Sequence, residues 1–293
     1  MEHNTKQSRP KLPPWIRVKV GCGAGRDEVA AILDRLKLNT VCSSARCPNL
    51  GECWHRKTAT FMIMGNECTR NCKFCAVDSN YAPAPLEADE PQRIAEAAKA
   101  MELKYVVVTS VTRDDLPDGG AAHFSEVITA LRNTLPDIGI EVLTPDFNED
   151  LTALKTVLAA KPSVFNHNIE TVQRLSKQVR SKANYERSLQ VLSNAVEIGG
   201  TNIPVKSGLM VGMGERDEEV ITAIRDLRKA GVSILTIGQY LPPTNAHWAL
   251  DRYVTPEVFA EWKEFALELG FKFVASGPLV RSSYNAAELL EGK

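Results

Sequence analysis

Short apolar segments alternate with amphipathic helical segments through most of this 293-residue chain. The apolar segments have the composition of buried strands, and they span residues 60–65, 105–111, 138–143, 163–168, 203–211, 233–239 and 272–275. Helical periodicity is clear between them, for example at 91–100 and 218–231. Strands separated by helices pair in parallel, so the sequence predicts an α/β fold whose sheet closes, or nearly closes, into a barrel.

The chain length suits one main domain, because a single α/β barrel commonly occupies about 250 residues. We expect the barrel at residues 59–276, an N-terminal extension at 1–58 and a short C-terminal tail at 277–293. In barrels of this kind the loops at the carboxyl ends of the strands carry the active site. The loop after the first predicted strand is therefore the first place to look for chemistry.

That loop contains Cys68, Cys72 and Cys75 with a short, regular spacing. Three thiolates on one loop are one fewer than the corner irons of a 4Fe-4S cluster, each of which needs an outside ligand. One iron would remain open for another molecule to bind. A structural zinc site is the alternative, but zinc prefers four tetrahedral ligands, usually in two pairs at separate points of the chain.

A second triad lies upstream, in a segment rich in the residues of irregular backbone: Cys42, Cys47 and Cys53. Its wider spacing predicts a second cluster site, and its fourth ligand has to come from elsewhere in the chain. Of the seven cysteines only Cys22 remains, in a glycine-rich turn without companion ligands, and we assign it no role.

The formal net charge is -1, from 35 Lys and Arg against 36 Asp and Glu, which gives no basic field for nucleic acid or for an anionic membrane. No apolar run has the length of about 20 residues that spans a bilayer, and the polar N-terminus has no apolar signal core. Cysteines gathered in ligand-like triads suit a reducing compartment. We therefore expect a cytoplasmic protein that binds neither nucleic acid nor membrane.

The first triad, with Phe74 between its last two cysteines, is the signature of radical S-adenosylmethionine enzymes. The whole chain resembles one family of these enzymes, lipoyl synthases. The resemblance is carried by both triads in this order and by the segments 109–115, 166–171, 208–215 and 281–284, the last reading Arg-Ser-Ser-Tyr. It implies a partial (β/α)6 TIM-type barrel with a cluster-bearing extension.

The resemblance also implies the reaction. Two sulfur atoms would be inserted into an octanoyl chain that is amide-linked to a lysine of a lipoyl carrier domain, such as the E2 component of a 2-oxoacid dehydrogenase or the glycine cleavage H protein. The cofactors would be S-adenosylmethionine and two 4Fe-4S clusters, of which the second is the sulfur donor. An electron donor such as ferredoxin or flavodoxin, and an iron-sulfur carrier that rebuilds the second cluster, would be further partners.

By the same resemblance, Ser283 would be the fourth ligand of the second cluster. An alkoxide is a harder and less usual iron ligand than thiolate, which suits a cluster that must come apart. From the tetrapeptide alone, residues 281–284 are better interpreted as a capped and solvated C-terminal turn, and the missing fourth ligand together with the family resemblance reverses this.

Candidate contacts to S-adenosylmethionine lie in the loops after successive strands, at Phe74, Gly119, Gly120, Glu170, Arg180, Val211 and Gly212. Gly119 and Gly120 resemble the glycine pair that receives the methionine amino group, although the usual acidic third residue is absent. Arg180 would pair with the methionine carboxylate, and Glu170 with the ribose or amino group. Solvated surface side chains and, at 211–212, a simple strand-ending turn remain open as alternatives.

Two other functions are weighed against this one. Another two-cluster sulfur-inserting enzyme, either biotin synthase-like or a methylthiotransferase, would share the first triad, but the order of the triads argues against it. In methylthiotransferases the auxiliary triad lies in a large separate domain with an added RNA-binding module, and nothing basic or modular is seen in this sequence. A non-enzymatic electron carrier would need neither a barrel nor an open iron. None of the five histidines has the spacing of a metal ligand set.

Overall fold

The computed structural model describes residues 11–16, 24–44, 47, 49–50 and 60–283. Its helices are α1 (Ala24–Arg35), α2 (Val41–Ser44), α3 (Glu90–Ala100), α4 (Ala121–Thr134), α5 (Leu151–Ala159), α6 (Gln173–Val179), α7 (Tyr185–Gly199), α8 (Asp217–Lys229) and α9 (Pro256–Glu268). Its strands are β1 (Asn39–Thr40), β2 (Thr60–Ile63), β3 (Glu67–Cys68), β4 (Asp78–Ser79), β5 (Tyr105–Ser110), β6 (Gly139–Leu143), β7 (Val164–Asn166), β8 (Val205–Val211), β9 (Ile234–Gln239) and β10 (Phe273–Gly277).

One sheet of eight strands forms the barrel wall, in the order β1-β2-β5-β6-β7-β8-β9-β10. The strands from β2 onward are parallel, and each coincides with one of the apolar segments picked out in the sequence. In the described part of the chain β1 and β10 pair with one neighbour each, so the barrel stays open along one side. The partial barrel is confirmed, and β10 adds a parallel strand at its edge.

The N-terminal extension is joined to this sheet. Strand β1 pairs antiparallel with β2, which the sequence analysis did not foresee because two residues give no strand signal. The guanidinium group of Arg93 on α3 donates hydrogen bonds to the carbonyl oxygens of Leu36 and Lys37, at the end of α1. The domain boundary at residue 58 therefore stays a prediction, since the sheet continues across it.

Local sequence explains where the helices begin. Asp150 caps α5 by accepting hydrogen bonds from the backbone amides of Thr152 and Ala153, and Asn184 caps α7 in the same way. Proline in the first turn starts α3 and α9, where its missing amide proton is not needed. No helix in the described residues is long and apolar enough to cross a membrane.

Alternate residues of each strand face the lumen of the barrel. The outward side chains, such as Val106 and Val108 of β5, belong to the main apolar core between sheet and helices. Tyr105 and Val107 form a separate small cluster and therefore lie on the inner face. The same alternation places Thr109 of β5 inside, at the carboxyl end of the strand.

Towards the amino ends of the strands the lumen is filled by a buried polar cluster around Glu141 of β6. Lys206 Nζ lies 2.9 and 3.0 Å from its two carboxylate oxygens, and both side chains are at most 1% exposed. Tyr105 and Asn166 also donate hydrogen bonds to this carboxylate, each at 3.0 Å. Both oxygens of the buried carboxylate are thus hydrogen-bonded, as a buried charge requires, and the cluster fills this end of the lumen.

Candidate active site

The loop of the first cysteine triad lies at the carboxyl end of β2, as predicted. Strands β3 and β4 pair at its base, and the amide of Asn80 donates to the carbonyl oxygen of Cys68 at 2.9 Å. Within the loop the amide of Cys75 donates to the carbonyl oxygen of Cys72 at 3.0 Å. These contacts fold residues 68–75 into a compact turn that holds all three thiols at the mouth of the barrel.

The three sulfur atoms accept backbone hydrogen bonds. Cys68 Sγ lies 3.4 and 3.3 Å from the amide nitrogens of Arg70 and Thr112, Cys72 Sγ lies 3.4 Å from that of Ser181, and Cys75 accepts from Val77. Hydrogen bonds to sulfur are one of the ways in which proteins tune iron-sulfur clusters. These hydrogen bonds help to fix the three sulfur atoms, and the role of the cysteines as cluster ligands remains a prediction.

Burial raises the pKa of Cys72, and it raises that of Cys75 to about 12. These thiols therefore need a bound metal to become thiolates at neutral pH. In the part of the chain that is described, no three Cys, His, Asp or Glu side chains converge on one point as the ligands of a single ion would. Each thiolate of a 4Fe-4S cluster binds a different iron, so three thiols that hold a cluster need not converge on one point.

A cavity of about 190 Å³ opens beside the three thiols. Besides the cysteines it is lined by Phe74, Thr109, His167, Asn168, Glu170 and Arg180, among others. The structure thus brings three of the predicted cofactor contacts, Phe74, Glu170 and Arg180, to the same space as the first triad. Their assignment to S-adenosylmethionine remains a prediction.

Arg180 is held by a chain of hydrogen bonds beneath this cavity. Its Nη1 donates to Ser188 Oγ at 2.8 Å, and Ser188 Oγ lies 2.9 Å from His167 Nε2. His167 Nδ1 lies 2.9 Å from the carbonyl oxygen of Thr144, an acceptor, so Nδ1 carries the proton and Nε2 accepts from Ser188. Burial and the charge of Arg180 lower the pKa of His167 to about 4, which keeps the ring neutral.

Glu170 lines the same cavity as Arg180 and has a left-handed backbone conformation, with φ of 66°. Its backbone is fixed by hydrogen bonds to Gly208 and Met210 of β8, at 3.2 and 2.8 Å. Burial raises the pKa of its carboxyl group, against the charge of Arg180 and a hydrogen bond from Asn168. A non-glycine residue held in this conformation indicates that the surroundings determine its orientation.

The other predicted cofactor contacts do not line this cavity. Gly119 and Gly120 have φ of 61° and 89° at the start of α4, and a Cβ on Gly120 would overlap the sulfur of Met64. Val211 is buried at the end of β8, and the amide of Gly212 donates to Glu215 at 2.6 Å. Gly119 and Gly120 lie in a turn, Val211 ends β8 and Gly212 follows it, and the contact of these residues with cofactor stays a prediction.

The second triad is only partly within the described residues. Cys42 is buried in α2, and its carbonyl oxygen accepts a hydrogen bond from the amide of Cys47 at 3.0 Å. Cys53 and Cys22 lie outside the described residues. Ser283 is half-buried in the C-terminal segment.

Two contacts bring that segment to the second triad. Asn49, two residues after Cys47, donates from its side chain to the carbonyl oxygen of Leu279 at 2.7 Å. Burial lowers the pKa of Arg281, and Cys47 is the charge near enough to oppose this. Leu279 and Arg281, which precede Ser283 in the chain, therefore lie near Asn49 and Cys47.

Comparison with known proteins agrees with this arrangement. A family model described as the radical SAM superfamily matches residues 62–227, and one described as the N-terminal domain of lipoyl synthase matches residues 2–47. A lipoyl synthase of Rubrobacter xylanophilus is 52% identical over 286 residues, covering 98% of this chain and 88% of the relative. One of Caldanaerobacter subterraneus is 54% identical over 276 residues, covering 94% and 96%. The chain belongs to the lipoyl synthase family.

Solved structures agree on the fold. The FeFe-hydrogenase maturase HydG of Carboxydothermus hydrogenoformans gives a TM-score of 0.57 at 15% identity, covering 91% of this chain and 78% of that one. Methylornithine synthase gives 0.54 at 14% identity, covering 90% and 85%. At this identity the likeness shows the barrel only, and the lipoyl synthase family is shown by the sequence relatives.

Two groups that fix the cysteine loop were missed in the sequence. Arg70 is buried and donates to Asp114 at 2.9 and 2.8 Å and to Asp146 at 2.6 Å. His247 Nε2 lies 3.0 Å from the carbonyl oxygen of Cys75, and the amide of Trp248 donates to that of Lys73 at 2.8 Å. The only sequence signal for Arg70 was its place between two ligands, and for His247 there was none.

Proposed function

We propose that this member of the lipoyl synthase family inserts two sulfur atoms into the octanoyl chain of an octanoylated lipoyl carrier domain. The observation that carries the proposal is the cavity beside Cys68, Cys72 and Cys75 at the barrel mouth, with the second triad reached by the C-terminal segment. The relatives that are named lipoyl synthase match this chain over nearly their whole length. This favours the reaction over the biotin synthase-like, methylthiotransferase and electron-carrier alternatives.

Cys68, Cys72 and Cys75 would hold the first 4Fe-4S cluster and leave one iron open towards the cavity. When bound, a reduced cluster of this kind cleaves S-adenosylmethionine and supplies a radical that abstracts hydrogen from an unactivated carbon. The protein's part is to place the cofactor and to exclude water. Arg180 would pair with the methionine carboxylate, and Phe74 would pack against the bound molecule.

Glu170 lines the same cavity as Arg180, and its carboxylate would accept hydrogen bonds from the ribose or the amino group. The backbone around Gly119 and Gly120, and that around Val211 and Gly212, would complete the cofactor site if these segments move towards the cavity on binding. Cys42, Cys47, Cys53 and Ser283 would hold the second cluster, which donates the sulfur.

The two triads can be separated by mutation of the reconstituted protein. Cys72→Ala should abolish formation of 5'-deoxyadenosine, because the first cluster loses a ligand. Cys47→Ala should keep 5'-deoxyadenosine measurable while sulfur insertion into an octanoyl-lysine peptide, followed by mass, is lost. Normal lipoyl product from the Cys47 variant without added sulfide would contradict the donor assignment.

The remaining partners follow from the reaction. An electron donor such as ferredoxin or flavodoxin would reduce the first cluster, and an iron-sulfur carrier would rebuild the second. The carriers would be lipoyl domains of 2-oxoacid dehydrogenases or the glycine cleavage H protein. A cytoplasmic location would keep the cysteines reduced, and the net charge of -1 gives no support to a nucleic-acid partner.

A further inference from the structure

Beyond β10 the chain turns back over the inner face of the sheet. The amide of Val280 donates to the carbonyl oxygen of Gly277 at 3.1 Å, which closes the turn. A Cβ on Gly238 of β9 would overlap the carbonyl oxygen of Val280, and one on Gly208 of β8 would lie 3.4 Å from Ser282 Oγ. The C-terminal segment therefore crosses β9 and β8 where each strand presents a glycine to the lumen. We call Gly208 and Gly238 the glycine notch.

At the far side of the notch, Asn168 holds the segment. Its Nδ2 donates to Ser282 Oγ at 2.8 Å, across 114 residues of chain. Asn168 also lines the cavity beside the first triad, together with Glu170. Asn168 is 8% exposed. One buried amide thus lines the predicted cofactor cavity and holds the C-terminal segment.

The hydroxyl that faces the lumen is that of Ser282, the residue before the predicted cluster ligand. Ser282 and Ser283 lie in a turn, and Ser283 follows directly on the residue that Asn168 holds. On its other side the segment meets the extension, where Asn49 donates to the carbonyl oxygen of Leu279. Contacts on both sides thus limit where Ser283 can lie relative to Cys47, two residues before Asn49.

We propose that Asn168 and the glycine notch lock residues 279–283 across the barrel mouth, and so fix Ser283 relative to the cofactor cavity. Asn168, Gly208 and Gly238 are positioning residues in this arrangement. The part that concerns Ser283 rests on the proposed function, whereas the lock itself is a property of the chain. It explains why the half-buried hydroxyl next to the predicted ligand is held against the barrel.

Trypsin tests the lock directly, because its cleavage site after Arg281 lies inside the locked segment. Cleavage of the full-length protein releases the twelve residues that follow Arg281, which mass spectrometry quantifies. Ser282→Ala and Asn168→Ala should each raise the initial rate of this cleavage about fivefold, the factor that corresponds to about 1 kcal/mol for one hydrogen bond. Gly238→Ala, which displaces Val280, should raise it further.

Ser276→Ala is the matched control. Ser276 is on β10, directly before the segment, and its hydroxyl donates to the carbonyl oxygen of Phe259 at 2.7 Å without touching Asn168. The Ser276→Ala variant should be cleaved after Arg281 at the same rate as the parent protein. An unchanged rate in both Ser282→Ala and Asn168→Ala, or an equal rise in Ser276→Ala, would overturn the lock.

Iron retention tests the consequence for the second cluster. In the reconstituted full-length protein, Ser282→Ala should lose about half of its iron to a chelator sooner than the parent protein, because each cluster holds four irons. If Ser282→Ala were cleaved faster by trypsin but lost iron at the parent rate, the lock would stand and its link to Ser283 would be refuted. Faster cleavage together with an intact second cluster in Ser283→Ala would keep the lock and refute the ligand assignment.

Discussion

Replacing Arg70 with glutamine should destabilise the protein by about 3 kcal/mol at neutral pH, the cost of leaving a buried charge without its partner. The charge left behind is that of Asp146, whose side chain is fully buried. Burial alone would raise the pKa of Asp146, but the hydrogen bond and charge of Arg70 lower it from 3.8 to about 2. That shift corresponds to about 2 kcal/mol of stability.

The pH dependence follows from the sign of this shift. In the parent protein, ionised Asp146 contributes stability above pH 3.8, and this contribution is lost as pH falls towards 2. In Arg70→Gln the same carboxyl group is buried without a full partner, so it costs stability when ionised. The difference in free energy of unfolding between the parent protein and the variant should therefore become smaller as pH falls from 7 towards 4. Arg187 lies 3.6 Å from Asp146, so it reduces this difference without removing it.

Urea unfolding of the metal-free parent protein and variant measures the difference in their free energy of unfolding at each pH. The double variant Arg70→Gln/Asp146→Asn should recover much of the stability, because a neutral pair can still hydrogen-bond. The electrostatic reasoning would be refuted if the difference in free energy of unfolding were the same at pH 7 and pH 4. It would also be refuted if the double variant lost as much free energy of unfolding as the two single variants together.

Three further predictions concern single residues. Ser283→Cys should hold the second cluster more tightly, so 5'-deoxyadenosine should still form while the yield of lipoyl product falls. Normal sulfur insertion in both Ser283→Cys and Ser283→Ala would exclude the serine as a ligand. His247→Phe should speed iron loss from the first cluster to a chelator about fivefold, whereas His247→Gln keeps a donor for the Cys75 carbonyl. Cys22→Ser should keep its full iron content, and loss of about half would reveal a misassigned ligand.

The strands and the first triad could be predicted from sequence because their signals are local. Each strand of the barrel is a short apolar run, and three cysteines in one loop need no knowledge of distant residues. The contact of Asn49 with Leu279 joins positions 230 apart, and the partners of Arg70 lie in two different loops. Periodicity carries no information about such pairs, so the groups that fix the triads emerged only from the fold.

The candidate site shows the same division. Glu170 and Arg180 were expected in loops after the strands, and the topology of a parallel barrel was enough to bring them together. The orientation of Ser282 towards Asn168 depends on how the chain turns after β10 and on two glycines in other strands. No pattern within residues 281–284 distinguishes the two serines.

The ion pair of Glu141 and Lys206 limits how reactants can enter and leave the barrel. With both side chains buried, this end of the lumen is filled, and the cavity lies towards the other end, beside the cysteine loop. Cofactor, its spent fragments and the acyl chain would all pass through the opening beside the cysteine loop. If each of two sulfur insertions consumes one cofactor, fresh cofactor must replace spent cofactor between them at an entrance that the carrier domain also uses. The carrier would then have to withdraw, at least in part, midway through its own modification.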